Sequence, residues 1–172
     1  LFVHLTLLPY LQASKELKTK PTQASVRELR SMGIQPDFIL TRADYPIHQD
    51  ILKKISLFCD VTENCVIPAP TVKSIYEVPL NFNEHHLAEL IIEKLNLPKR
   101  KPNMKDWENL VKKIQARNKE LKIAMVGKYT GLDDAYISVI ESLKIAGYHK
   151  NRSVKILWIE SEKLEKNDKT AW

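Results

Sequence analysis

Short apolar runs alternate along this chain with longer amphipathic segments, and no other feature of the sequence limits the possible folds as strongly. Residues 2–8 and 37–40 form almost continuous apolar runs, and residues 66–67 form a shorter one. Such runs are typical of strands that are buried on both faces of a parallel sheet. Residues 50–58 and 86–95 instead place apolar side chains at helical spacing. The inner face of the first of these helices is predicted to consist of Ile51, Leu52, Ile55 and Phe58. The alternation predicts an α/β fold with a mostly parallel sheet.

A basic segment separates this part of the chain from the C-terminal residues. Residues 1–97 carry 10 Lys/Arg against 11 Asp/Glu, whereas residues 98–172 carry 17 against 10. Residues 98–122 alone carry 9 against 3, with prolines that interrupt regular structure, so the excess belongs to a linker. The linker is predicted to contain an amphipathic helix that packs on a neighbouring surface through Trp107, Leu110, Val111 and Ile114.

A second α/β unit is predicted to follow the linker. Residues 123–126 form an apolar strand, and residues 154–159 form another. Between them, Asp133 and Asp134 are predicted to begin a helix that Gly147 ends. This strand–helix–strand order is typical of the opening of a doubly wound domain.

Composition excludes several classes of protein. The net charge is +6, but the basic excess lies in the linker and is not interleaved with aromatic residues on a folded face, which argues against nucleic-acid binding. Cys59 and Cys65 are too few for a disulfide framework and are predicted to be unpaired, buried thiols in a reducing cytosol. Residues 1–11 are apolar but too short to span a bilayer, and no signal-peptide features flank them, so no membrane partner is expected.

The segment of residues 18–23, Lys-Thr-Lys-Pro-Thr-Gln, is a candidate anion site. Its two lysines precede a helix that Ser25 and Glu28 are predicted to open as a capping box and Gly33 to end. Free N–H groups and the positive end of the helix dipole favour a phosphate at such a helix start. A solvated basic loop explains the same spacing, and by spacing alone it is the more frequent case.

Familiar catalytic and metal-binding motifs are absent from the sequence. It contains neither the G-x-x-x-x-G-K-[ST] loop nor the G-x-G-x-x-G fingerprint of nucleotide-binding proteins. The adjacent pair His85 and His86 lacks the spacing of two zinc ligands on one helix face, and polarity at a helix start explains it better. Any nucleotide site must therefore depend on residues outside these motifs.

Residues 18–23 and 25–37 closely resemble the CTP synthase family, the glutamine-dependent ligases that make CTP from UTP. Further segments resemble the family in the same order, namely residues 5–10, 57–59, 72–79, 126–129 and 134–143. Family members combine a P-loop-like α/β synthetase domain, a linker and a doubly wound class I glutamine amidotransferase domain. The resemblance implies that residues 1–97 are the C-terminal part of the synthetase domain, 98–121 the linker and 122–172 the start of the amidotransferase domain.

The resemblance also implies site residues and a reaction. ATP phosphorylates O4 of UTP, and ammonia released from glutamine displaces that phosphate. The positions that match the UTP and CTP triphosphate site are Lys18, Thr19, Lys20, Pro21, Thr22, Gln23 and Lys54. The positions that match the ATP site are Arg42, Pro70, Thr71 and Val72. None of these residues is expected to be a chemical catalyst, so the chain contributes binding.

The same resemblance implies partners and limits. UTP, CTP, ATP and glutamine are the expected ligands of a cytoplasmic homotetramer in pyrimidine biosynthesis, with Mg²⁺ bound by carboxylates upstream of this chain and glutamine bound downstream of it. The chain does not begin with methionine and is expected to be a piece of a longer protein. Ala24 stands where family members usually carry histidine. This departure supports an alternative, a non-catalytic nucleotide-binding or assembly module.

Overall fold

A computed structural model describes residues 1–116 and 119–166 of the chain. The chain divides into two compact units, Leu1–Met104 and Lys105–Trp172, and each unit has its own parallel strands. The first contains, in chain order, β1 (Val3–Leu7), β2 (Tyr10–Leu11), β3 (Glu16–Leu17), α1 (Lys20–Ser31), β4 (Phe38–Ala43), α2 (Gln49–Cys59), β5 (Val66–Pro70), α3 (Val78–Glu84) and α4 (Leu87–Lys94). The second contains α5 (Lys105–Gln115), β6 (Lys119–Gly127), α6 (Ile137–His149), β7 (Arg152–Glu160) and α7 (Ser161–Glu165). The prediction of an α/β fold with parallel strands is confirmed.

The main sheet of the first unit has the order β1-β4-β5, and both pairs of strands are parallel. Helix α1 connects β1 to β4 and α2 connects β4 to β5, as parallel pairing requires. Right-handed connections that advance in one direction place both helices on the same face, where α1 contacts α2. The short β2–β3 hairpin stands between β1 and α1.

The central strand β4 is buried on both faces. Phe38 and Ile39, which point to opposite faces, are both fully buried. On the Ile39 side, the core contains Val26 of α1, Ile55 of α2 and Val66 of β5, and burying each such side chain contributes about 1.5–3 kcal/mol. On the Phe38 side, Nζ of Lys94 from α4 lies 5.8 Å from the centroid of the Phe38 ring, and Leu87 of α4 belongs to the core.

Strand β1 departs from the sequence-based prediction. The apolar run predicts burial on both faces, but Leu5 is 63% exposed and Leu7 is 57% exposed. Only the alternate residues, His4 and Thr6, face α1. The prediction is wrong for this strand because an apolar run shows which side chains can be buried and not whether a neighbour covers them.

Helix α1 begins earlier than predicted and ends where predicted. Its first residue is Lys20 and a proline stands in its first turn, so Ser25 lies inside the helix and does not open it. The Ser25 hydroxyl instead lies 2.7 Å from Nε2 of His4. At the other end Gly33 has φ +83°, and the N–H groups of Gly33 and Ile34 bond to the carbonyls of Arg30 and Leu29, which is a Schellman motif.

The two predicted amphipathic helices of the first unit are confirmed as α2 and α4. The inner face of α2 differs in one residue from the prediction. Leu52, Ile55 and Cys59 are buried, whereas Phe58 is 58% exposed. Leu57 is 78% exposed, so the end of α2 presents two large apolar side chains to solvent.

The second unit contains the predicted strand–helix–strand order as β6, α6 and β7, with the two strands parallel. Residues 133–136 form a short 3₁₀ turn before α6, and α6 continues past Gly147 to His149. The predicted role of Gly147 as a helix end is therefore wrong. A Cβ at this position would lie 2.8 Å from Cγ2 of Val154, so the glycine permits the close approach of β7.

The predicted linker helix is observed as α5, which contacts α6 within the second unit. Val111 and Ile114 are buried, and Trp107 is 36% exposed. In the first unit, Cys59 and Cys65 are both free and buried, as predicted. Burial raises the pKa of both thiols above the ordinary value.

Replacing Gly147 by alanine is expected to destabilise the second unit by about 1–3 kcal/mol, because the added methyl group would also lie 3.0 Å from the carbonyl oxygen of Arg152. All three tryptophans of the chain, at positions 107, 158 and 172, belong to this unit. Urea unfolding followed by tryptophan fluorescence measures the change. The matched control is Gly131→Ala, where an added Cβ meets nothing within 4 Å. An unchanged midpoint for Gly147→Ala would contradict the packing argument.

The thiols of Cys59 and Cys65 are expected to react slowly with iodoacetamide at pH 8, because a raised pKa leaves little thiolate. Because the pKa of each thiol is higher in the folded than in the unfolded protein, burying the neutral thiols also makes stability depend on pH. The stability is highest below the unfolded pKa and decreases as the pH rises through the folded pKa. Mass spectrometry of time-quenched samples measures the rate, and the same reaction in denaturant is the control. Equal rates with and without denaturant would refute the prediction.

Candidate functional site

The candidate site lies at the edge of the main sheet where its strands end. Because β1, β4 and β5 are parallel, their carboxyl ends, Leu7, Ala43 and Pro70, share one edge. In open α/β sheets, ligands bind outside this edge. Helices α1 and α2 begin after β1 and β4, so their first turns lie near the same edge.

A cavity of about 620 Å³ lies between the start of α1 and the first two turns of α2. It brings together five of the predicted triphosphate residues, including lysines from both helices. We call it the lysine cavity, and its lining consists of Glu16, Leu17, Lys18, Thr19, Lys20, Pro21, Asp50, Ile51 and Lys54.

Two predicted triphosphate residues do not line the lysine cavity. Thr22 is fully buried, and its hydroxyl lies 3.0 Å from that of Thr6 and 3.4 Å from the carbonyl oxygen of Leu7. Gln23 donates from Nε2 to the hydroxyl of Thr19 at 3.1 Å. Thr22 therefore anchors the start of α1 on β1, and Gln23 holds the residue that precedes the helix.

The start of α1 is suited to an anion. Its N-cap residue, Thr19, makes no side-chain capping hydrogen bond to the helix backbone. The first N–H groups of a helix have no partner within it, and the helix dipole makes this end positive. Lys18 and Lys20 flank the N-cap, so charged donors and backbone donors converge on one place.

Acidic side chains partly offset the lysines. Glu16 forms an ion pair with Lys18, with side chains 56% and 38% exposed respectively. The hydrogen bond from Lys18 is the largest influence that lowers the pKa of Glu16, and the charges of Lys18 and Lys54 lower it further. Asp50 stands in the first turn of α2, where a carboxylate complements the helix dipole.

The predicted ATP residues form a second group at the same edge. Arg42 lies opposite Ala69 in the β4–β5 pair and is exposed. After β5, Thr71 donates from its backbone N–H to the carbonyl oxygen of Ala43 at 2.8 Å and from its hydroxyl to Oδ1 of Asp44 at 2.6 Å. Arg42, Pro70, Thr71 and Val72 thus stand at the ends of two adjacent strands, and none of them lines the lysine cavity.

Sequence reasoning missed Glu16 and Asp50 as lining residues. A signal existed for Glu16, because residues two apart in an extended segment point to the same side, and Glu16 stands two residues before Lys18. It also missed the stacked rings of Tyr10 and Tyr45, with centroids 3.9 Å apart, which tie the β2–β3 hairpin to the segment after β4.

The described residues do not fit a magnesium centre. Among residues 1–116 and 119–166, no group of three or more His, Cys, Asp or Glu side chains is placed to hold a metal ion. Magnesium ligands upstream of the chain therefore stay a prediction. None of the helices in the described part of the chain is long and apolar enough to cross a membrane.

Comparison with known proteins agrees with the resemblance seen in the sequence. The chain is similar to the CTP synthase of Symbiobacterium thermophilum, with 54% identity over 165 residues that cover 96% of the chain and 30% of that protein. It is 51% identical over 167 residues to the CTP synthase of Dehalococcoides mccartyi strain BAV1, covering 97% of the chain and 31% of the relative. It is 48% identical over 168 residues to the CTP synthase of Methanocaldococcus jannaschii, covering 98% of the chain and 31% of that protein.

The chain thus spans about a third of the length of the curated relatives that it matches. The family described as CTP synthase N-terminus matches residues 1–97, which contain all the residues of the lysine cavity. This match covers more than half of the chain, and the chain therefore belongs to the CTP synthase family.

Proposed function

We propose that this chain supplies the triphosphate-binding part of the UTP and CTP site of a CTP synthase, the ligase that aminates UTP to CTP with ATP and with ammonia from glutamine. The observation that carries the proposal is the lysine cavity, in which Lys18 and Lys20 from the start of α1 and Lys54 from α2 face one space. Membership of the CTP synthase family supports the choice of a nucleotide as ligand.

The chemistry of the cavity suits a phosphate chain. A nucleoside triphosphate carries about four negative charges, and each charge-assisted hydrogen bond to a phosphate oxygen contributes about 1.5–3 kcal/mol. Lysine ammonium groups act as mobile point charges that can follow the phosphates, and the N–H groups at the start of α1 add fixed donors. Thr19 contributes through its backbone, because its side chain is largely buried and bonded to Gln23.

We further propose that Arg42 and the loop of residues 70–72 contact ATP. The end of β4 and the loop after β5 are joined by the two hydrogen bonds of Thr71, which order this loop. A loop ordered in this way can present its backbone to an adenine ring, while the exposed guanidinium of Arg42 is available to phosphate oxygens. The two nucleotides would then lie side by side along one sheet edge.

The remaining parts of the chain are assigned in the same proposal. Residues 1–97 belong to the synthetase domain, residues 98–121 to the linker and residues 122–172 to the start of the amidotransferase domain; residues 117–118 and 167–172 lie outside the described residues. The parallel pair β6–β7 with its connecting helix supports the last assignment. Bound Mg²⁺ would neutralise phosphate charge, and this chain's own residues bind and orient nucleotides without acting as chemical catalysts.

A cytoplasmic homotetramer completes the proposal. Leu57 and Phe58 follow Lys54 at the i+3 and i+4 positions of α2 and are exposed, which supports a contact between copies of the chain beside the cavity. The alternative of a non-catalytic module gains nothing from Ala24, which is exposed and does not line the lysine cavity.

Replacing Lys18, Lys20 or Lys54 singly by alanine is expected to weaken UTP and CTP binding by about ten- to a hundredfold, because each change removes one charge-assisted contact. Equilibrium titration of each purified variant with UTP and CTP measures the effect. Lys53→Ala is the matched control, because this exposed lysine stands next to Lys54 outside the cavity. If all three variants keep wild-type half-saturation, the lysine cavity is only a solvated basic surface.

Replacing Arg42 by alanine is expected to weaken ATP binding by about tenfold while UTP binding stays unchanged, because Arg42 lies outside the lysine cavity. Parallel titrations with the two nucleotides measure this difference, and Arg27→Ala, on the exposed side of α1, is the control. An equal loss for both nucleotides would show that Arg42 does not distinguish two sites.

A further inference from the structure

Glu16 is an acidic residue in a cavity proposed for an anion, and its position is determined by the backbone. It pairs with Leu11 in the β2–β3 hairpin, and the N–H of Lys18 bonds to the carbonyl oxygen of Pro9 at 2.9 Å. Lys18 follows β3 directly, and its bond to Pro9 continues the extended hairpin by one residue, so the carboxylate of Glu16 lies beside the ammonium group of Lys18. Both side chains line the lysine cavity.

The three lysines of the cavity differ in their partners. Lys18 is in an ion pair with Glu16, whereas neither Lys20 nor Lys54 is in an ion pair within residues 1–116 and 119–166. A phosphate chain can therefore reach Lys20 and Lys54 directly, but it must take Lys18 from a carboxylate. Asp50, the other acidic lining residue, is explained by its place at the start of α2.

We propose that Glu16 competes with the phosphate chain for Lys18. Its carboxylate pairs with Lys18 in the free cavity and releases Lys18 when a triphosphate binds. Glu16 is thus an affinity-determining residue that acts through Lys18, an inference that rests on the triphosphate site proposed above. Three lysines and two carboxylates leave the free cavity with little net charge, which lowers the repulsion among the lysines. A bound triphosphate takes over that role.

The test measures binding of inorganic tripolyphosphate by isothermal titration calorimetry in magnesium-free buffer of constant ionic strength. The proteins are the wild type, Glu16→Gln, Lys18→Ala and the double variant. Glutamine keeps the shape of Glu16 and removes its charge, and the exposed position of Glu16 makes a folding defect unexpected. The matched control is Glu28→Gln, which makes the same charge change on α1 outside the cavity.

Glu16→Gln is expected to tighten tripolyphosphate binding by about two- to fivefold, the range of an exposed ion pair that no longer has to be broken. Lys18→Ala weakens binding, and in that background Glu16→Gln changes the affinity by less than about twofold because the competing pair is already absent. Glu28→Gln leaves the affinity unchanged. A residue with only a structural role would weaken binding when replaced, so the sign of the change separates the two roles.

Several results would overturn the inference. Weaker or unchanged binding in Glu16→Gln, with Lys18→Ala still weakening it, would reject the competitor role and leave the triphosphate site standing. An equal gain in Glu28→Gln, or an undiminished gain in the Lys18→Ala background, would show a general charge effect that does not act through Lys18. If no protein binds tripolyphosphate, or if the loss of Lys18 has no effect, the triphosphate site itself is wrong and the inference falls with it.

Discussion

Parallel pairing of β1, β4 and β5 is the constraint on which the rest of the first unit depends. It requires a long crossover connection between each pair of strands, here made by a helix, and it places the start of both helices near the edge where the strands end. Residues far apart in the sequence, such as Lys20 and Lys54, therefore face one cavity. Buried hydroxyl groups hold this arrangement: Thr22 bonds to β1, and Thr41 donates to the carbonyl oxygen of Ile67 at 3.1 Å. Leaving one such group without its partner costs about 1–3 kcal/mol.

The alternation of apolar runs and amphipathic segments predicted the fold class, and local signals such as Gly33 predicted helix ends. Burial was less predictable, because Leu5 lies in an apolar run and is nevertheless exposed on the edge strand β1, at a part of the Phe38 face that the described helices leave uncovered. Gly147 shows a different limit of prediction from sequence. A glycine can mark a helix end or a close approach of another element, and only the packing of β7 against α6 distinguishes the two.

In the candidate site, too, the sequence pattern predicted some features and only the packing shows the others. The resemblance to the family indicated Lys18, Lys20 and Lys54, and the structure brings these three together. The resemblance could not show that Thr22, in the middle of the same motif, points into the core, because the direction of each side chain depends on where α1 begins. The resemblance also did not indicate Glu16, which matters because it forms an ion pair with Lys18. Lysines clustered in one cavity favour ligand binding over the stability of the free protein, and the carboxylate of Glu16 offsets part of their repulsion.

The central claim is that Lys18 before α1, Lys20 in α1 and Lys54 in α2 act on one phosphate chain. The most direct measurement is NMR of the protein with ¹³C-dimethylated lysines, titrated with UTP, with each signal assigned by a Lys→Arg variant. The account predicts that the signals of Lys18, Lys20 and Lys54 shift together with one common half-saturation, while the signal of Lys53 does not move. Three separate half-saturations, or a shift of Lys53 as large as that of Lys54, would contradict it.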